Sequence, residues 1–207
     1  MLKLSGVIIT FNEERKIEQC LQSLQGVVDE IVVVDSYSTD KTIEICKKYG
    51  VKLIMQKFLG YKEQKNFAVS QASYDHIVSL DGDEALSKEL QKSIIQLKSN
   101  WEFDGYYVNR FNNFCGQWIK HSDWYPDRKL RVFLRGKGEW KGINPHDSFE
   151  LKRGLKPGFL KGDILHWNYL TYSEFNLQTE KFSSISAESY YKMGKKASLW
   201  KILFNPT

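Results

Sequence analysis

Two carboxylates one residue apart, Asp81 and Asp83, are the clearest candidates for chemistry in this sequence. They follow a short apolar run over residues 76–80 and are separated by Gly82. On an extended turn after a buried strand, both can point the same way and hold a hard divalent cation such as Mg²⁺ or Mn²⁺. Such a cation would neutralise a diphosphate leaving group. The same residues would serve equally well as an acidic turn that caps the next helix.

Polar clusters also follow two earlier apolar runs. The segment TFNE, which includes Thr10, Asn12 and Glu13, follows the first run, and Asp35 ends the second run before SYSTD. Asp35 could accept a hydrogen bond from a uracil N–H, or it could cap the following helix, and the same choice applies to Asn12 and Glu13. Ligands of open α/β sheets bind beyond the carboxyl ends of the strands. The three clusters therefore predict one shared site.

The elements that must position these clusters alternate between strand and helix. Apolar runs predict strands over residues 4–10, 30–35, 51–55 and 76–80. Helical spacing predicts helices over residues 15–24, 39–49, 62–72 and 87–98. This series predicts an α/β fold with a mostly parallel central sheet flanked by helices.

The pattern changes after about residue 100. Strands are predicted over 105–110 and 129–135 around an aromatic stretch (111–127), followed by a turn-rich segment (154–162), a short strand (163–167) and a helix (171–193). Thr171 and Glu174 form a capping box at the start of that helix. We predict a single domain over residues 1–207. Its first half, about 1–100, binds the nucleotide, and its smaller acceptor-side region of strands and loops, about 101–207, ends in a basic helix.

Composition narrows the class of protein. Of 207 residues, 42% are hydrophobic, which excludes a disordered chain. The net charge of +5 arises in residues 151–207, where nine Lys/Arg face four Asp/Glu. That segment could contact an anionic membrane, an acidic acceptor or only solvent, and no nucleic-acid motif accompanies it.

Neither a signal peptide nor an apolar run of 18 residues is present, so a cytoplasmic protein is expected. The oligomeric state is not indicated.

The segments TFNE, VVVDSYSTDKT, GYKEQKNFA and SLDGDE, in this order, resemble the family 2 glycosyltransferases, which have the GT-A fold. The resemblance covers roughly residues 5–90. It implies that four residues bind the nucleotide base and ribose: Thr10, Asn12, Glu13 and Asp35. It also implies that Asp81 lies near the ribose and diphosphate, that Asp83 binds a divalent metal, and that Lys65 and Asn66 approach the donor.

The second half resembles the small WaaE/KdtX-like subgroup through GQWI, WYPD, RKLRVF and NPHD. Enzymes of this subgroup add a sugar, typically glucose, to lipopolysaccharide inner core. The resemblance implies inverting transfer of a hexose from a UDP-sugar to that acceptor or a similar lipid-linked surface glycan. Such relatives usually have His-Glu where this chain has His146-Asp147.

Inversion requires a carboxylate that takes a proton from the acceptor hydroxyl. We expect Asp147 to be this base, with Asp127 as the second candidate. His146 could bind the metal with Asp81 and Asp83, contact the diphosphate or hold its loop. Arg128 and Arg131 are three residues apart, so on a strand at most one of them is expected to point into the site. Arg131 precedes the apolar residues Val132 and Phe133 and is the expected diphosphate contact.

Two other classes of protein fit the sequence less well than a glycosyltransferase. A nucleotidyltransferase typically has a Gly-rich basic loop after the first strand, where this chain has FNEER. A non-catalytic nucleotide- or sugar-binding protein would not need both Asp81 and Asp83. The aromatic and basic residues 199–206 are expected to associate with the inner face of the plasma membrane. Relatives commonly continue beyond this point, so a truncated C-terminus is also expected.

Overall fold

The structure is a computed structural model of the chain and describes residues 1–144, 146–195 and 200. The strands of the first half are β1 (Leu4–Thr10), β2 (Glu30–Asp35), β3 (Lys52–Met55), β4 (His76–Asp81) and β5 (Glu84–Leu86). Its helices are α1 (Ile17–Leu24), α2 (Thr42–Lys48), α3 (Tyr61–Ser70) and α4 (Lys88–Leu97). Every strand and helix predicted for this half is present, and β5 is an additional short strand.

The second half contains more strand than the sequence indicated. Its elements are β6 (Gly105–Phe114), β7 (Gln117–Trp118), β8 (Asp127–Leu134), β9 (Gly138–Ile143), β10 (His146–Leu151), β11 (Pro157–Tyr169) and α5 (Tyr172–Lys192). The prediction of a turn-rich segment over 154–162 is wrong from Pro157 onward. Proline at the first position of a strand leaves the hydrogen-bond ladder intact, and pairing with β6 stabilises what local sequence does not.

In the described part of the chain, one sheet of nine strands has the order β3-β2-β1-β4-β8-β6-β11-β5, with β7 paired to β6. The first four strands are parallel. Beyond them β8 runs antiparallel to β4 and β6, whereas β11 is parallel to β6. The predicted α/β class with the GT-A arrangement is confirmed. Most strands of the second half extend the main sheet, while β9 and β10 form a separate hairpin.

Both faces of the central sheet are buried. Leu4 and Ile8 of β1 pack towards α1, α2 and α4, while Val7 and Ile9 pack towards α3 and the β9–β10 hairpin. A strand covered on both faces requires a continuous apolar run, which explains the sequence EIVVVD of β2. Each fully buried aliphatic side chain contributes roughly 1.5–3 kcal/mol. The site residues therefore project from a rigid edge.

The start of the last described helix, α5, has the predicted capping interaction. The Thr171 hydroxyl accepts the Glu174 N–H at 3.2 Å, and the Glu174 carboxylate accepts the Leu170 N–H at 2.8 Å. No helix in the described ranges is both long and apolar enough to cross a membrane. The segment expected to contact the membrane, residues 199–206, lies outside the described residues apart from Trp200.

The junction of α4 and β11 is tightly packed. The Ser87 hydroxyl accepts the N–H groups of Leu90 at 3.2 Å and Asp163 at 3.0 Å, which joins the first turn of α4 to the strand. Gly162 lies at a break in the pairing of β11 with β6 and has a φ of +95°. A Cβ atom at Gly162 would lie 2.7 Å from the Leu90 Cα, so only glycine permits this approach.

We expect Gly162→Ala to lower the free energy of unfolding by more than Gly154→Ala, as measured by urea denaturation. Gly154 also has a positive φ, of +89°, but no atom lies within 4 Å of a Cβ built there. The control should lose only the left-handed backbone penalty of about 1–2 kcal/mol. Gly162→Ala adds a collision with the α4 backbone. Equal losses in the two variants would show that the close approach does not constrain the fold.

Candidate active site

The three polar clusters meet at one edge of the sheet, as predicted. β1 lies between β2 and β4, and the register places Thr10 beside Asp35 and Ile9 beside Asp81. A cleft of about 1610 Å³ opens at this edge. Its opposite wall is built by β8 and the β9–β10 hairpin. The cleft therefore joins the first-half strand ends to residues of the second half.

Asn12 and Asp35 shape the first wall of the cleft. Asn12 has a φ of 54°, a conformation that asparagine tolerates, and its amide oxygen accepts the Thr39 N–H at 2.8 Å. The Asp35 carboxylate is fully buried and accepts the Ser38 N–H at 2.7 Å and the Ser38 hydroxyl at 2.5 Å. The Ser38 oxygen in turn accepts the Asn12 N–H at 2.8 Å. These contacts fix the two loops against each other.

Thr10 and Glu13 line the cleft beside the acidic turn. The Thr10 hydroxyl is buried and has no hydrogen-bond partner among the described residues. A Cβ atom on Gly82 would lie 2.7 Å from that hydroxyl oxygen, so Gly82 lets the turn approach β1. Burial, followed by the charge of Asp83, raises the pKa of Glu13 to about 7, although Lys16 opposes this shift.

Arg131 neutralises two acidic side chains in the interior. Its guanidinium lies 2.9 Å from a Glu84 carboxylate oxygen and 3.1 Å from one of Asp81. The Arg131 side chain is 3% exposed and that of Glu84 is completely buried. Glu84 also accepts the Asp81 N–H at 2.9 Å, which fixes the backbone of the turn. The guanidinium predicted to contact a diphosphate is thus already ion-paired within the protein.

Lys65 connects the two walls of the cleft. Its ammonium nitrogen lies 2.9 Å from an Asp147 oxygen and 3.2 Å from an Asp81 oxygen, and 4.4 Å from the centre of the Trp140 ring. Burial alone would raise the pKa of Asp81, but Lys65 and Arg131 together hold it well below its usual range. Asp81 is therefore ionised at neutral pH.

The hairpin that carries Asp147 is held by α3. The Asn66 amide donates to the Trp140 carbonyl and accepts the Trp140 N–H, both at 3.0 Å. Farther along the hairpin, the Asn144 side-chain oxygen accepts the Tyr61 N–H at 3.0 Å. Asp147 lies within β10, opposite Gly142. In the structure Asn66 thus holds the hairpin, with both ends of its amide engaged.

Asp83 faces His166, a residue that the sequence analysis did not select. His166 Nε2 lies 3.4 Å from an Asp83 carboxylate oxygen, and His166 Nδ1 lies 2.7 Å from the side-chain oxygen of Asn112. Burial opposes ionisation of Asp83, but His166 and then Lys16 lower its pKa. An amide oxygen can only accept a hydrogen bond, so Nδ1 carries a proton in this contact, and Nε2 is the ring nitrogen that faces Asp83.

His146 and Asp127 are placed differently. His146 is exposed at the start of β10 and lines the cleft, but no contact of its side chain with Asp81 or Asp83 is seen in the described part of the chain. Asp127 lies 2.8 Å from Arg110 and 2.9 Å from Lys129. Despite partial burial, these two cations lower the pKa of Asp127. The structure therefore brings Asp81, Asp83, Asp147 and His146 to one cleft, whereas Asp127 does not line it.

Comparisons with known proteins identify the family. The model for glycosyl transferase family 2 matches residues 5–203. A lipopolysaccharide core biosynthesis glycosyltransferase of Rhizobium meliloti is 31% identical over 99% of this chain and 78% of its own length. An uncharacterised glycosyltransferase of Rickettsia conorii is 41% identical over 97% of this chain and 74% of its own length. The chain belongs to glycosyl transferase family 2.

Solved structures match this family 2 chain only in part. The crystal structure of S. aureus TarS 1-349 has 23% sequence identity and a TM-score of 0.49. That match covers 64% of this chain and 47% of the TarS chain. An overlap this limited does not indicate a donor or an acceptor.

Little in the sequence marks Glu84 and His166 as residues of the site. Glu84 directly follows the acidic motif, but nothing in the sequence shows that β5 buries it against Arg131. His166 was placed in a predicted short strand, and a histidine within an apolar strand is ordinary. Its partner Asn112 lies on β6, and the two are opposite each other in the β6–β11 register. That pairing requires tertiary structure.

We expect Arg131→Met to lower the free energy of unfolding by about 3–5 kcal/mol, because the completely buried Glu84 loses its nearest cation. Arg110, at 3.6 Å, is then the remaining cation beside Glu84, while Asp81 retains Lys65. Urea denaturation measures the loss. Arg128→Met is the matched control, since Arg128 is exposed on the same strand and should change stability by less than about 0.5 kcal/mol. Adding Glu84→Met to Arg131→Met should recover much of the loss. The network has no such role if the two arginine variants are equally stable.

Proposed function

We propose that the cleft binds a UDP-sugar and transfers its sugar, with inversion, to a hydroxyl group of a glycan acceptor. Membership of family 2 supports the reaction. The observation that carries the proposal is that Asp83 and Asp147 reach one cleft from opposite walls, with Lys65 between the walls. In this proposal, residues 1–207 act as a single domain, divided into a donor half and an acceptor half at about residue 100.

The first wall is the proposed donor site. Thr10 offers a buried hydroxyl without a protein partner, and Glu13 lies beside it. A nucleoside would satisfy these groups through its base and ribose. Asn12 and Asp35 hold the loops of this wall in place. A direct contact of either side chain with the nucleotide base would be additional to that structural role. Lys65 and Arg131 neutralise Asp81, so the donor diphosphate does not meet an uncompensated carboxylate.

Asp83 and His166 are the proposed protein ligands for Mg²⁺ or Mn²⁺. In the described part of the chain, no three His, Cys, Asp or Glu side chains are grouped to hold a metal by themselves. Two ligands nevertheless fit a metal that shares its coordination with substrate phosphates. The Asn112–His166 contact fixes the ring in the orientation that a ligand needs. When bound, the metal would neutralise the departing diphosphate.

Asp147 is the proposed general base. It accepts the proton of the acceptor hydroxyl as that oxygen bonds to the anomeric carbon, while the bond to the UDP oxygen breaks and its electron pair leaves with UDP. Lys65 keeps Asp81 as a partner at 3.2 Å, so its charge stays neutralised when Asp147 becomes protonated. Asp127 is the weaker candidate because Arg110 and Lys129 already bind its carboxylate.

For the acceptor we propose lipopolysaccharide inner core or a similar lipid-linked surface glycan, and for the donor a hexose such as glucose. The support is the sequence likeness to the Rhizobium meliloti enzyme, whose name specifies lipopolysaccharide core biosynthesis. We also propose a cytoplasmic location with peripheral contact to the inner face of the plasma membrane. The exposed aromatic side chains of α5, including Tyr172 and Tyr191, are compatible with that contact.

We expect Asp83→Ala to weaken Mn²⁺-dependent binding of UDP by at least about tenfold, measured by titration calorimetry with and without the metal. His166→Ala should weaken the same metal-dependent component. The matched control is Asp75→Ala, which removes an exposed carboxylate immediately before β4, at the other end of this strand. Unchanged Mn²⁺-dependent affinity in both site variants would overturn the metal assignment.

We expect Asp147→Asn to retain UDP binding and to lower the rate of sugar transfer by roughly 10²–10⁴-fold, because the base is lost while the amide preserves shape. Product formation under saturating donor measures the rate. Glu139→Gln, an exposed residue on the paired strand β9 that does not line the cleft, is the control. If Asp127→Asn abolished transfer and Asp147→Asn did not, Asp127 would be the base.

A further inference from the structure

The cleft is lined by more cationic side chains than are ion-paired with carboxylates. Nine Lys/Arg and five Asp/Glu side chains line it. Lys65 and Arg131 are ion-paired with inner carboxylates, and Arg110 and Lys129 are ion-paired with Asp127. Within the described ranges, the remaining five cations form no salt bridge: Lys57, Arg128, Lys152, Arg153 and Lys181.

Three of these cations lie on the second wall of the cleft and form what we call the basic wall: Arg128, Lys152 and Arg153. Arg128 is on β8, three residues before Arg131, and Lys152 follows the end of β10, five residues after Asp147. The expectation that at most one of Arg128 and Arg131 points into the site is wrong: both line the cleft, because the pairing of β8 with β6 shifts by one residue at Arg131 and interrupts the alternation. At about 3.3 Å per residue, Arg128 lies roughly 10 Å from Arg131 along β8, and Lys152 lies roughly 17 Å from Asp147 along the direction of β10. The basic wall is therefore separated from both the inner ion pairs and the proposed base.

The basic wall is built on ordered backbone. The turn after β10 is closed by a hydrogen bond from the Leu155 N–H to the Lys152 carbonyl at 3.3 Å. The Lys152 N–H donates to the Lys137 carbonyl at 2.9 Å, which ties the turn to the start of the hairpin. The Arg128 guanidinium lies 5.7 Å from the centre of the Phe159 ring. These contacts limit the freedom that the cations would lose on binding.

An anionic saccharide fits these features. The guanidinium groups of Arg128 and Arg153 can donate paired hydrogen bonds to a phosphate or carboxylate. Tyr107, which is 37% exposed and lines the same part of the cleft, offers an aromatic face to a sugar ring. The donor diphosphate has its own place beside Asp83, so the unpaired cations farther along β8 and β10 remain for the acceptor.

We propose that the basic wall binds a phosphate or carboxylate group of the acceptor saccharide and thereby selects anionic acceptors. This inference rests on the proposed function, because it assigns the acceptor class for the same cleft. The affinity of the acceptor should depend on ionic strength, since the wall is exposed to solvent and its charges are screened by salt.

The test measures equilibrium binding, so that it does not depend on turnover. The probe is inner-core oligosaccharide of lipopolysaccharide freed of lipid, titrated into the full chain with saturating UDP and Mn²⁺. Two treated forms of the probe, one without phosphates and one with its carboxyl groups reduced, identify the anionic group that binds. The double variant Arg128→Gln with Arg153→Gln should raise the Kd for the untreated probe at least about tenfold.

The matched control removes the same charge elsewhere. Lys156→Gln with Lys161→Gln neutralises two exposed lysines of the β11 region that do not line the cleft, and it should leave the Kd unchanged. Neither double variant should alter UDP affinity. The proposal is overturned if both double variants bind the untreated probe equally well, or if wild type binds all forms of the probe with one affinity or binds none.

Metal-dependent hydrolysis of UDP-glucose without acceptor separates the two proposals. If hydrolysis is present and the basic-wall variant binds the probe normally, the acceptor inference fails and the proposed function stands. If UDP-sugars are neither bound nor hydrolysed, the proposed function fails on its own measurement.

Discussion

Charge neutralisation at the buried carboxylates is the constraint on which the site depends. Glu84 is inaccessible to solvent and Asp81 lies beside it, so each requires a cation close by. An unpaired buried carboxylate costs several kcal/mol, which is a large part of the stability of a domain this size. Arg131 from β8 and Lys65 from α3 meet this requirement. The interaction that stabilises the fold also sets the charge of the cleft.

This network links elements that are far apart in the sequence. Arg131 ties β8 to the turn after β4, and Lys65 ties α3 to the hairpin through Asp147. Asn66 adds two hydrogen bonds from α3 to the same hairpin. The position of the proposed base is thus fixed from the donor half of the chain. Preorganisation of this kind keeps a reacting group within the narrow limits that proton transfer requires.

The extended sheet gives the cleft its length. Because β8, β6 and β11 continue the sheet beyond β4, one strand carries both Arg131 in the inner site and Arg128 on the basic wall. Two positions on β8 therefore differ in environment. Arg131, in the middle of the strand, is buried and ion-paired, whereas Arg128, near its start, is exposed and forms no salt bridge within the described residues. A separate acceptor domain would not hold these positions at a fixed spacing.

The sequence by itself determined the first half of the fold and the place of the site. Its apolar runs and helical spacing predicted the parallel strands, and polar residues at three strand ends predicted one cleft, because such signals are local. Tertiary structure decided how the residues divide the work. The burial of Glu84 against Arg131, the pairing of Lys65 with Asp147 and the approach of His166 to Asp83 join residues that are 47 to 83 positions apart in the chain. Pairing across such distances is set by the register and order of the sheet, which no short segment of sequence encodes.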